Sequence, residues 1–334
     1  MSDEAIRKGR RATVFGGSGF IGRHVVQALA HDGWRIRIAC RRPDLARDLQ
    51  LLGEAGQIET IKADLREPHT IDVALNSADA AVNLVGVLTE SGDQTFAALM
   101  SQGARVVADG VAKAGITQFV HVSAIGACKN SPSAYARSKA EGEAAVRELV
   151  PQAIIFRPSI VFGPEDDFFN RFATMARLMP VLPLVGANTR FQPVYVDDIA
   201  RAVALGLDGK ATSGATYELG GPEVKTFREL VQYVCDVSGR RRQIVSLSFE
   251  IGMRMASATQ IASTFSLGLF PKLLSMTTDQ VELLRRDNVV SDEAKTAGTT
   301  LEGLGIIPHS IEAVVPAYLN RDRTPGQHPS QGRE

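Results

Sequence analysis

One segment constrains this chain more than any other. In Thr13-Val14-Phe15-Gly16-Gly17-Ser18-Gly19-Phe20-Ile21-Gly22, an apolar run ends in glycines spaced three apart and opens directly onto a helical pattern. Gly16 permits a tight turn after a strand, Gly19 lets backbone N–H groups approach a pyrophosphate, and Gly22 lets helix and strand pack closely. The helix N-terminus that follows, beginning with Phe20 and Ile21, carries a partial positive charge suited to an anion. A glycine pattern alone is weak, but here strand, loop, helix and chain position agree, which predicts dinucleotide binding rather than a plain turn.

The rest of the first half supports a fold that can use such a loop. From Ala12 to about Ser159, short β-branched runs alternate with longer helical patterns, as in βαβ units feeding a parallel sheet. The expected strands are Ala12–Gly16, Arg35–Cys40, Ile58–Ala63, Ala80–Val85, Gln118–Ser123 and Ala153–Arg157; the expected helices lie near Ile21–Ala30, Leu45–Leu52, Thr95–Lys113 and Ala134–Leu149. The fold class is therefore α/β, a Rossmann-like doubly wound parallel sheet with a small C-terminal α/β lobe, and ligand belongs at the carboxyl ends of the strands. Residues 12–159 form the expected NADP-binding core. Residues 160–324 form a substrate or docking lobe with returns to the core sheet, using helices near Phe172–Leu178, Ile199–Leu207 and Phe227–Val237 and strands at Arg190–Tyr195 and Thr216–Leu219. Residues 1–11 read as a flexible segment and 325–334 as a disordered, Pro- and Gly-rich tail.

Composition narrows the function classes. Of 334 residues, 44% are hydrophobic and 22% charged, with 37 basic side chains against 37 acidic ones, so neither disorder nor bulk electrostatic binding of nucleic acid is expected. Cys40, Cys128 and Cys235 are too scattered for a paired metal motif and odd in number, which fits a reducing compartment. The six histidines show no ligand spacing, so no metal is expected. The N-terminus lacks a secretory core, and no window offers about 20 uninterrupted apolar residues.

Four strand ends carry the chemistry. After the second strand, where an NAD-binding protein would present a carboxylate, the chain reads Cys40-Arg41-Arg42, and two guanidinium groups suit the 2′-phosphate of NADP(H). Asp64 and Leu65 follow the third strand, where the carboxylate either accepts from the adenine amino group or caps a turn. Val85 and Gly86 lie at the end of the fourth, where the glycine lets the backbone pass close to a ribose. Ser123 ends the fifth, and twelve residues later Tyr135 and Lys139 stand i,i+4 on one helix face. There the ammonium lowers the phenol pKa and Ser123 orients a substrate oxygen, the arrangement needed for carbonyl reduction or alcohol oxidation. Elsewhere, Asp198 is placed to cap a helix starting near Ile199, and Glu165-Asp166-Asp167 reads as a solvated loop or partner contact. The segment Ile251–Leu274 holds only Arg254 and Lys272 as charges, and is either a helix packed on the small lobe or a membrane-interface or docking element.

Gly16, Gly19, Gly22, Ser123, Tyr135 and Lys139 together resemble the motifs of the extended or atypical short-chain dehydrogenase/reductases, the group containing sugar-nucleotide epimerases. Arg157-Pro158-Ser159-Ile160-Val161-Phe162-Gly163-Pro164 resembles the segment leading into their substrate lobe, which adds Pro158 and Ile160 to the expected cofactor contacts. A narrower likeness comes from Phe162–Ala173 and Gln192–Ala200, which are similar to the alpha-subcomplex subunit 9 family, the dehydrogenase-like accessory subunit of respiratory complex I. That resemblance implies a tightly held, structural NADPH, complex I subunits as partners, and a peripheral place on the cytoplasmic side of a bacterial inner membrane with contact through 251–274. The alternative is an active NADP-dependent oxidoreductase or sugar-nucleotide-type epimerase or dehydratase using Ser123, Tyr135 and Lys139.

Overall fold

Six short apolar runs of the first half, joined by one from the second, hydrogen-bond side by side into a seven-stranded parallel sheet. The computed structural model describes residues 9–265 and 276–319, with the backbone alone over 259–265. Its sheet strands are β1 (Arg11–Phe15), β2 (Arg35–Cys40), β3 (Ile58–Lys62), β4 (Ala80–Asn83), β5 (Gln118–Val122), β6 (Ile154–Pro158) and β7 (Thr216–Leu219). Their spatial order is β7-β6-β5-β4-β1-β2-β3. Strand order reverses between β1 and β4, so the crevice at their carboxyl ends is the place a doubly wound sheet offers a ligand.

Helices cover the faces of the sheet. The principal ones are α1 (Phe20–His31), α2 (Pro68–Leu75), α3 (Gly103–Lys113), α4 (Ala134–Leu149) and α5 (Val196–Leu207). Buried Phe15, Ile71, Leu75, Val107, Val111, Phe119, Val146 and Ile155 form the core under α2, α3 and α4. On α5, a Cβ at Gly206 would meet Val120 and Phe156 at 3.0 and 3.5 Å, so this helix rides directly on β5 and β6. Near-continuous apolar burial of the central strands is what two covered faces require.

By its contacts the chain divides into two units. One comprises the chain up to Ser159, Val194–Gly221 and Val289–Pro308; the other comprises Ile160–Pro193, Pro222–Asn288 and the chain from His309. In the second unit, Val181–Val185 pairs in parallel with Gln243–Leu247, and the rings of Phe168, Phe172, Phe191 and Phe227 pack against one another. A capping box of Thr226 and Glu229 starts the helix Phe227–Val237.

Several expected elements differ. Arg190–Tyr195 is not one strand: Arg190–Phe191 and Val194–Tyr195 are separate two-residue strands, split at Gln192-Pro193, where proline has no N–H to donate. Leu45–Leu52 lies in a 3-10 helix, Pro43–Leu52, and Thr95–Lys113 begins as a π turn, Ala97–Gln102. Asp198 is no cap, because the helix starts earlier, at Val196, which puts Asp198 in its buried first turn. Among Glu165-Asp166-Asp167 the outer two are exposed, but Asp166 is buried. Its carboxylate accepts from the N–H groups of Phe169 at 2.6 Å and Gly163 at 3.2 Å and from the Tyr318 hydroxyl at 2.6 Å, so it ties the C-terminal helix Ile311–Leu319 to this loop. The sequence tail 325–334, the first eight residues, and most of the segment 251–274 lie outside the described side chains. In the described part of that stretch, Gly252 and Ala256 are buried while Ile251 and Met255 are exposed. Among the described residues, no helix is long and apolar enough to cross a membrane.

Burial opposes ionisation of Asp166, yet its donors require the carboxylate form. Asp166→Ala is expected to lower stability by about 2–4 kcal/mol, because it strands several donors at once, and Tyr318→Phe by about 1 kcal/mol. Urea unfolding of the two variants checks this; near-neutrality of Asp166→Ala would remove it as an anchor.

Candidate functional site

The crevice is built first by glycines. Gly16 ends β1 with φ +79°, and a Cβ there would lie 3.2 Å from the backbone of Leu84 and Val85 at the end of β4. At Gly22 a Cβ would fall 2.2 Å from the Gly16 carbonyl oxygen, so the first turn of α1 rests on the loop with only hydrogen between them. A Cβ at Gly19 would instead meet only the Gly16 oxygen, at 3.4 Å. Its N–H donates to that oxygen at 3.0 Å, which closes the loop. No side chain caps the 12-residue α1 and no acid sits in its first turn, which leaves the positive end of the helix open to an anion. Phe20 and Ile21 form that first turn, the Phe20 ring edge-on to His24.

At the neighbouring strand ends, Arg41 and Arg42 are both exposed, and Arg41 Nη2 donates to Gln94 Oε1 at 3.0 Å. Asp64 is buried and accepts both prongs of Arg66, which holds its carboxyl below the usual range. The Leu65 side chain belongs to the core and packs beneath Gly103. After β4, Asn83 fixes the turn carrying Val85 and Gly86: its Oδ1 accepts the Val85 N–H at 3.1 Å, and its Nδ2 lies 3.2 Å from His121 Nδ1 on β5. Since Asn83 donates there, His121 is neutral with its proton on Nε2. Burial, with Lys139 adding repulsion, pushes His121 down to about 3.

Ser123 and the Tyr135/Lys139 pair complete the crevice. Ser133 caps α4 by accepting from Ala136 N–H at 3.2 Å, which sets the helix phase. That phase brings Lys139 Nζ to 3.2 Å from the Val122 carbonyl oxygen, to which it donates, and to 6.0 Å from the centre of the Tyr135 ring. A Cβ at Gly86 would sit 3.3 Å from the same ammonium. Phe96 meets the Tyr135 ring edge-on at 5.6 Å. Lys139 is only 5% exposed, and burial lowers its pKa to about 8 despite the opposing charge of Glu143 one turn along. Ser123 Oγ is buried with no hydrogen-bond partner among the described residues, so a polar group is prepared there. Pro158 ends β6, its carbonyl accepting from Ile125 N–H, while Ile160 lies in the second unit.

Sequence reasoning passed over Asn83, His121, Arg66 and Gln94. Only Asn83 left a trace, as a polar residue closing the apolar run Ala80-Ala81-Val82.

Residues 12–220 match the NAD dependent epimerase/dehydratase family. The mitochondrial NADH dehydrogenase (ubiquinone) 1 alpha subcomplex subunit 9 of Arabidopsis thaliana is 35% identical over 320 residues, 94% of this chain and 78% of its own length. The subunit of the same name from Mus musculus is 33% identical over 317 residues, 94% of this chain and 80% of that one. The chain belongs to the NAD dependent epimerase/dehydratase family, with the alpha subcomplex subunit 9 proteins. An NADPH-dependent quinone oxidoreductase from Escherichia coli, solved with NADPH, shares the family fold with a TM-score of 0.71 at 19% identity, covering 92% of this chain and 99% of that one.

The buried ammonium sets a pH dependence. Because folding lowers the Lys139 pKa, the unfolded chain binds more protons between about pH 8 and the ordinary lysine value of 10.5, so stability from this residue rises with pH across that window. At neutral pH its burial costs on the order of 3 kcal/mol. Lys139→Met in nucleotide-free protein is expected to be relatively more stable than the parent at pH 7, an advantage that shrinks by pH 9.5. Denaturant unfolding of both proteins at the two pH values measures the difference; a pH-independent difference would contradict it.

Proposed function

We propose that this chain is an NADPH-holding accessory subunit of a respiratory NADH:quinone oxidoreductase, peripheral to the cytoplasmic face of a bacterial inner membrane. The observation that carries this reading is relatedness to the subunit 9 proteins along 94% of the chain, combined with an intact dinucleotide crevice.

The residues fit the cofactor. The open N-terminus of α1 with Gly16, Gly19, Phe20, Ile21 and Gly22 would hold the pyrophosphate. Arg41 and Arg42 would meet the 2′-phosphate, Asp64 and the Leu65 backbone the adenine, Val85 and Gly86 a ribose, and Tyr135 and Lys139 the nicotinamide ribose. Pro158 and Ile160 would border the nicotinamide. Bound NADPH supplies a hydride donor, but in this reading its main effect is mass action: a ligand that binds only the folded chain stabilises it. It would also offer hydrogen-bonding partners to Ser123 Oγ, which has none among the described residues, and to the buried Lys139 ammonium, which donates to the Val122 carbonyl. Ile251 and Met255, exposed one turn apart, belong to the segment 251–274 that would meet membrane-embedded subunits.

The second reading is an NADP-dependent oxidoreductase or epimerase. It is favoured by one observation, a Ser123 Oγ with no partner among the described residues in the same crevice as a Tyr135/Lys139 pair whose ammonium is pushed down to about 8 by burial.

Two outcomes are expected. NADPH should bind more tightly than NADH, and Arg41→Ala with Arg42→Ala should erase the preference, at about 1.5–3 kcal/mol per charged hydrogen bond, by titration calorimetry. Equal affinities in the parent protein would overturn the NADPH reading. Tyr135→Phe should cost only about 0.5–1.5 kcal/mol of NADPH affinity and leave co-purification with the membrane complex intact. An enzyme would instead lose typically 10²–10⁴-fold in turnover at full occupancy, measured on a panel of carbonyl and sugar-nucleotide substrates.

A further inference from the structure

The turn that presents Arg41 stands beside a second set of charges. Both oxygens of Asp64 are taken by a single residue: Arg66 Nε donates to Oδ1 at 2.9 Å and Nη2 to Oδ2 at 2.6 Å, and the Arg66 backbone N–H adds a bond to Oδ1 at 3.0 Å. The last nitrogen of the fork, Nη1, lies 3.6 Å from Asp93 Oδ2. The next residue, Gln94, accepts from Arg41 Nη2 at 3.0 Å, and reciprocal backbone bonds between Ser91 and Gln94 close the loop that carries both. Arg41, Arg66, Asp64 and Asp93 therefore form one connected group in which two positive charges balance two negative ones. Without Arg66 this group keeps two carboxylates against the one charge of Arg41, so that even with Arg42 counted the turn offers an anionic phosphate no net positive charge.

We propose that Arg66 determines selectivity for the 2′-phosphate of the dinucleotide by neutralising Asp64. This rests on the NADPH reading above and deepens it. The fork is spent on the Asp64 carboxylate, so Arg66 acts through Asp64 and leaves direct contact with the phosphate to Arg41 and Arg42. A dianionic 2′-phosphate is repelled by an uncovered carboxylate, whereas the neutral 2′-hydroxyl of NADH scarcely responds to it. Asp64 can then keep its place at the third strand end without repelling the 2′-phosphate.

The test is the ratio of NADH to NADPH dissociation constants, measured by titration calorimetry on the full, nucleotide-free chain. Arg66→Met is expected to reduce the preference for NADPH by roughly tenfold, mainly through weaker NADPH binding. Asp64→Asn alone is expected to increase the preference. The double variant, Asp64→Asn with Arg66→Met, is expected to regain the parent ratio, because the charge that Arg66 covers is gone. An unchanged ratio in Arg66→Met would overturn the proposal, as would a double variant no better than Arg66→Met, which is the result a direct phosphate contact predicts. Should Arg66→Met fail to fold, Asp64→Asn decides: a preference that stays level or falls overturns the proposal. A parent protein with no preference overturns the NADPH reading itself, and the two failures are distinguished by that control.

Discussion

The site depends on a contact with no room for a methyl group. The first turn of α1 sits so close to the β1 loop that a Cβ at Gly22 would fall 2.2 Å from the Gly16 carbonyl oxygen, far inside van der Waals contact. That closeness seats the helix directly above the carboxyl end of β1, and its open N-terminus thus faces the crevice. Gly16 makes a second close approach, to the Leu84-Val85 backbone, which draws the ends of β1 and β4 together where the strand order reverses. Two glycines thus define the gap, while the third, Gly19, borders it without filling it.

Around the gap, several polar and charged groups are buried. The Lys139 ammonium has one carbonyl acceptor and the nearby charge of Glu143, and its pKa falls. Glu143 is itself held by the Arg157 fork at 2.8 and 2.6 Å, and Arg157 lies 3.7 Å from Glu218 on β7. Glu218 in turn accepts the Ser291 N–H at 2.7 Å, at the start of the helix Asp292–Ala297. A line of alternating charge therefore joins the crevice to the edge strand and to the chain segment that returns to this unit near Val289. Buried pairs of this kind contribute little net stability against a hydrophobic replacement, but losing one member strands the other, so they enforce this arrangement.

In the proposed reading the crevice has a use that does not require turnover. A dinucleotide spanning the ends of several strands would fix elements that are far apart in sequence, and would thereby link occupancy to integrity. The retained Ser123, Tyr135 and Lys139 are compatible with that use, since hydroxyl and ammonium groups that serve proton transfer also serve to grip a ribose.

Much was legible in the sequence because it is local. The glycine spacing, the six first-half strands, the limits of β2 and α4, and the i,i+4 placement of Tyr135 and Lys139 follow from short-range periodicity and steric rules that act within a few residues. What needed tertiary structure were properties set by neighbours distant in the chain. Asp166 looked like one of three solvated acids until the Tyr318 hydroxyl and the backbone N–H groups of Gly163 and Phe169 enclosed it. Arg190–Tyr195 looked like one strand, although its halves are split at Pro193. Asn83 and His121 meet only because β4 and β5 are adjacent in register, and Arg41 finds Gln94 only through a loop folded back across more than fifty residues. Local sterics write themselves into residue order, whereas burial, charge compensation and pKa depend on which remote segments pack together, and that is decided only when the whole chain has folded.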